Sequence, residues 1–95
     1  MSNQKLIELQ AWLKNVISAI VSDPDNIEII QSEDEMGILF LVKVDKSDLG
    51  KVIGKEGQVA KALRTLVRSA AYVIGEKVSV KIDAGTRFEL EKEDR

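Results

Sequence analysis

The sequence predicts a small α+β domain, with three strands in one mixed sheet and the helices packed on one face. Three observations carry that expectation. Two long segments repeat apolar residues at helical spacing, two short β-rich runs lie between them, and a strictly alternating run follows the second helix. Ninety-five residues make one domain, because neither half alone would bury enough apolar surface to hold a core.

The first element is an amphipathic helix from about Asn3 to Ser22. Leu6, Leu9, Leu13, Val16, Ile17 and Ile20 form its apolar stripe, and Ser2 or Asn3 is placed to cap it. Trp12 falls at the edge of that stripe and is expected at the rim of the core. Ser22-Asp23-Pro24-Asp25-Asn26 is loop chemistry, and the lone proline ends the helix. Two β-rich runs follow, Ile27 to Ser32 and Ile38 to Val44, joined through residues 33–37 as a hairpin.

Asp45 to Asp48 turns into a short helix, about Asp48 to Ile53, with Ser47 or Asp48 as N-cap and Gly54 as its stop. Gln58 to Ile74 reads as the second long helix. Val59, Leu63, Leu66, Val67, Ala70 and Ile74 are its expected buried stripe, while Lys61, Arg64, Arg68 and Tyr72 face water. Gly75 suits the position just past its end. From Lys77 to Asp83, Val78, Val80 and Ile82 alternate with polar residues, the pattern of a half-buried strand. On the other sheet face, Ile30, Leu39 and Leu41 are too apolar for full exposure, so either the tail around Phe88 and Leu90 or a partner covers them. The domain is expected over residues 1–83, followed by a charged tail, 84–95.

Composition narrows the chemistry. The chain has no cysteine and no histidine, which removes thiolate chemistry, the commonest general base and the commonest metal ligands. Asp45 and Asp48 sit in the setting of a helix cap, so neither a metal nor another cofactor is expected, and neither is an enzyme. No run approaches the length of a membrane span and no signal peptide is evident, which makes the cytoplasm the expected location.

Charge is unevenly distributed. The net value is −2, yet residues 50–81 carry seven Lys and Arg against Glu56 and Glu76, while residues 1–49 carry four lysines against nine carboxylates. A basic stretch inside an acidic chain points to a local anionic ligand.

That stretch is centred on Val52-Ile53-Gly54-Lys55-Glu56-Gly57, set between two helices. Glycines at both ends of so tight a turn let the backbone approach a ligand closely. The helix that follows offers unpaired N–H groups and a partial positive charge. A P-loop is excluded by spacing and by Glu56, which stands where Mg²⁺ would need Ser or Thr. A helix-turn-helix suits the basic second helix but not the short first one or the flanking strands. An interaction module that dimerises, with the loop at a subunit interface, remains compatible with the apolar second sheet face.

The run from Val44 through Asp48-Leu49-Gly50-Lys51-Val52-Ile53-Gly54-Lys55-Glu56-Gly57 to Ala60 and Ala62-Leu63-Arg64-Thr65-Leu66 resembles a bacterial KH domain. Over roughly residues 3–83 the chain is similar to the small stand-alone KH proteins of the KhpA (YlqC) family, in the type II order α-β-β-α-α-β. The resemblance implies single-stranded RNA binding, with a role as RNA chaperone or post-transcriptional regulator. By position, Gly54, Lys55, Glu56 and Gly57 would clamp the backbone of about four nucleotides. Ile53 would line the groove, Lys51 would flank the phosphates, and strand 38–44 with loop 33–37 would form the other wall. It further implies a homodimer, or pairing with a larger KH protein of the Jag type. With few aromatics to stack on bases, one domain is expected to bind only at about 10⁻⁴–10⁻⁶ M.

Overall fold

The computed structural model describes residues 3–84. Within them the order is α1 (Gln4–Ser18), β1 (Glu28–Asp34), β2 (Gly37–Val44), α2 (Leu49–Ile53), α3 (Gln58–Val73) and β3 (Val78–Ala84), with single 3₁₀ turns at Pro24–Asn26 and Lys46–Asp48 and a tight non-helical turn at Lys55–Gly57. The α-β-β-α-α-β order and the mixed sheet are those predicted. The tail around Phe88 and Leu90 lies outside the described residues.

Two strands of β-branched residues and a two-residue turn make β1 and β2 an antiparallel hairpin, with Asp34 paired to Gly37. Asp34 Oδ1 accepts the Met36 N–H at 2.8 Å, an Asx turn that closes the loop. β3 returns through α2 and α3 and lies parallel to β2, Phe40 opposite Val80. Strand 38–44 is therefore central, paired along both edges. β1 and β3 are the edge strands, and α3 and α2 pack on β3, where Val78 and Val80 are buried.

Alternation along β2 sends Ile38, Phe40, Val42 and Val44 into the core, where Phe40, Val42 and Val44 are fully buried. Leu6, Leu13 and Ile17 from α1 meet them, together with Val52, Leu63, Val67, Val78 and Val80. Leu39 and Leu41 on the open face are half-buried and Ile30 is 41% exposed.

Three local expectations change. α1 stops at Ser18, where the Ile20 N–H turns to the Ile17 carbonyl three residues back at 3.0 Å, and the N–H groups of Ser22 and Asp23 are taken by the Asp48 carboxylate. Asp48 stands at the expected N-cap position of α2 but makes no capping bond to the helix, while Asp45 caps the turn before it, accepting the Ser47 N–H at 3.0 Å. The buried stripe of α3 is Ala60, Leu63, Val67 and Ala71, so Leu66 stands 50% exposed.

Candidate nucleic-acid interface

The predicted motif forms one continuous corner. α2 buries Val52 in the core and packs Leu49 partly against it, and Gly54 ends it with its N–H bonded to the Gly50 carbonyl at 2.9 Å. The Gly57 N–H then returns to the Gly54 carbonyl at 3.1 Å. Gly54 (φ 81°, ψ 175°) and Gly57 (φ 75°, ψ 13°) both lie at positive φ. So does Glu56 (φ 56°, ψ 26°), in the left-handed region that costs a side-chain-bearing residue about 1–2 kcal/mol.

A Cβ on Gly54 would stand 2.4 Å from Val59 Cγ2 and 2.9 Å from the Val59 backbone nitrogen, so the turn is folded tightly onto the first turn of α3. A Cβ on Gly57 would meet nothing within 4 Å. Gly57 leads into α3 without a side-chain cap. The Lys55 and Glu56 side chains project to solvent, and Ile53 beside them is half-buried. The corner thus exposes backbone, one cation and one anion, with the positive end of a sixteen-residue helix behind them.

Lys51 is placed differently from its neighbours. Its ammonium lies 3.4 Å from Asp48 Oδ1 and also donates to Ser22 Oγ. Asp48 is 1% exposed and accepts the Ser22 N–H at 2.9 Å and the Asp23 N–H at 3.1 Å. The Ser22 N–H bond is the foremost cause holding this carboxyl below its ordinary pKa; burial pushes it up, and the Asp23 N–H and Lys51 pull it down. In the sequence Asp48 reads as a cap, since only the fold brings residue 22 beside it.

A second feature escaped the sequence. Arg64 Nε donates to the Val80 carbonyl at 3.2 Å, so this residue of the expected wet face reaches over the edge of β3. Arg64, Arg68, Val78, Ser79 and Val80 line a shallow depression there. Between α1 and α3 runs a groove of about 320 Å³, lined by Trp12, Val16, Ile20, Gln58, Val59, Ala62, Leu63 and Leu66, and it starts where the glycine turn ends. Among the described residues, no group of three or more acidic side chains is placed to hold a metal ion, and no helix is long and apolar enough to cross a membrane.

Comparison with known proteins bears on the same residues. Positions 10–82 match the KH domain of the KhpA/KhpB family. RNA-binding protein KhpA of Bacillus subtilis is 39% identical over 82 residues, covering 86% of this chain and 98% of the relative. RNA-binding protein KhpA of Caldanaerobacter subterraneus is 40% identical over 70 residues, 74% of this chain and 93% of the relative. RNA-binding protein KhpA of Clostridium acetobutylicum is 37% identical over 74 residues, 78% and 99%. No solved structure matches. With the α-β-β-α-α-β order and the glycine-bracketed corner in the matched span, the chain belongs to the KhpA/KhpB family of KH-domain proteins.

Proposed function

We propose that this protein binds single-stranded RNA without catalysis, as an RNA chaperone or post-transcriptional regulator, through the corner at residues 53–57. The carrying observation is the exposed backbone turn Gly54–Gly57, whose open side at Gly57 leaves room for a phosphate to approach the main chain. The uncapped start of α3 adds N–H groups and a partial positive charge. Lys55 supplies a full charge, and Ile53 offers an apolar surface to a base. Glu56 points to solvent, where its like charge is screened. Relatives matched over almost their whole length carry the name RNA-binding protein.

The test is fluorescence anisotropy with labelled single-stranded RNA, comparing the protein with a Lys55→Asp, Glu56→Asp double variant. Aspartate tolerates left-handed backbone, so the turn at position 56 survives the change. Loss of binding with circular dichroism and sedimentation unchanged supports the clamp. Unchanged binding, or none by the natural protein, refutes it.

A second copy of the chain is the protein partner we propose. The supporting observation is the apolar stripe that the rotation of α3 leaves outside: Ala62, Leu66 and Val73, with Leu66 50% and Val73 82% exposed, flanked by Trp12 at 37%. This surface adjoins the turn without containing Lys55 or Glu56, so it favours a dimer formed beside the clamp over one formed through it. A related, larger KH protein presenting an equivalent stripe would use the same face.

A further inference from the structure

α2 has five residues, a length of about 7.5 Å, and no isolated helix so short is stable in water. Its direction is set by what pins its two ends. At its C-terminal end Gly54 packs on Val59. At its N-terminal end Asp48 is bonded to the Ser22 and Asp23 N–H groups, 26 and 25 residues away in the chain. Lys51, one turn on, closes the assembly by reaching both Asp48 and Ser22. Three hydrogen bonds therefore join the loop after α1 to the helix that carries the glycine turn, and the Lys51–Asp48 ion pair ties together the two side chains that make them.

We infer that Asp48 is a positioning residue for nucleic-acid binding: with Lys51 it latches the Ser22–Asp23 loop onto α2 and so sets the presentation of the Gly54–Gly57 turn. This rests on the RNA reading of that turn. It also gives Lys51 a different job from the one the family resemblance implies. Its charge is committed to Asp48, and the phosphate contacts fall to Lys55 and the backbone.

The two roles differ in sign and in salt dependence. Neutralising a carboxylate near a polyanion site raises affinity through electrostatics alone. The latch requires the opposite, because the amide of Asp48→Asn keeps one acceptor and turns an NH₂ toward the other loop N–H. If Lys51 neutralised a phosphate, its loss would flatten the plot of log affinity against log salt by about 0.7. If it serves the latch, the affinity falls and the slope stays.

The experiment measures single-stranded RNA affinity across a salt series for the natural protein, Asp48→Asn and Lys51→Gln, at a temperature where circular dichroism shows each folded. The amide resonances of Gly54 and Gly57 are recorded without RNA. Weaker binding by several fold in both variants, an unchanged slope and displaced Gly54 and Gly57 resonances are expected. Should Asp48→Asn not fold, Lys51→Gln carries the test alone. Binding equal to or tighter than natural, or a slope reduced by about 0.7 in Lys51→Gln, overturns the latch while leaving the RNA reading intact. Absence of binding by the natural protein removes both.

Discussion

Gly54 and Gly57 share the sign of φ but not the reason for being glycine. At Gly54 the backbone (φ 81°, ψ 175°) lies in a region that side-chain-bearing residues hardly enter, and Val59 fills the space a Cβ would need. Gly54→Ala is therefore expected to lose more than about 2 kcal/mol, from strain of about 1–3 kcal/mol plus the displacement of Val59. At Gly57 the surroundings are open, and an alanine costs only the left-handed preference of about 1–2 kcal/mol. Chemical denaturation of the two variants checks that order, and equal losses would mean that Val59 yields. RNA titration separates them further: Gly57→Ala keeps its fold and still weakens binding, because its methyl occupies the side from which a phosphate approaches. Both glycines were legible in the sequence as a bracketed turn. The left-handed Glu56 was not, since nothing in its residue type asks for that conformation.

Among the elements, α2 depends most on contacts that linear patterning does not contain. Asp48 holds the N-cap position expected of Ser47 or Asp48, yet the fold spends its carboxylate on a loop that precedes it by 25 residues and leaves Asp45 to cap the turn before it. Periodicity places elements well when one face is apolar, as in α1 and β2, because burial then fixes the register. It placed α3 but rotated its stripe. Alanines at 60 and 71 allow the helix to approach the sheet closely, whereas hydrophobicity alone selects the bulkier Leu66. The same limit hid the contact with β3, where Arg64 donates to the Val80 carbonyl. Asp48 also gives this element a pH signature. A carboxyl whose folded pKa is lowered stabilises the fold above its unfolded pKa, about 3.9, and that stabilisation fades as pH falls through the folded value. Thermal melts of the natural protein and Asp48→Asn should differ most at neutral pH and converge below about pH 4. A gap that persists undiminished in acid would mean that the carboxylate charge is not what the loop requires.

On the scale of the whole molecule, the surface divides into a charged corner and an apolar stripe that meet at Gln58 and Val59. A net charge of −2 argues against broad attraction to nucleic acid, so a single domain gains little from long-range steering and must rely on contacts at the turn. Two copies joined through the stripe would present two turns to one strand, and linked sites bind more tightly than either does alone when the strand spans both. Leu66 is central to the stripe and half exposed, and completing the burial of a leucine side chain is worth up to about 1.5–3 kcal/mol. Leu66→Glu places a charge where both copies would meet and leaves the core untouched, because Leu63 and Val67 supply the buried face of α3. Sedimentation velocity is expected to show a dimer for the natural protein and a monomer for Leu66→Glu, with a melting temperature that rises with protein concentration for the first and not for the second. Binding of a short RNA that occupies one turn should survive the substitution, while binding of a longer strand that spans both turns should weaken. A Leu66→Glu protein that stays dimeric would move the interface to the open sheet face, where Ile30, Leu39 and Leu41 remain the other apolar surface. In that case the two turns would be held by the sheets rather than by α3, and the length of RNA that bridges them would change with it.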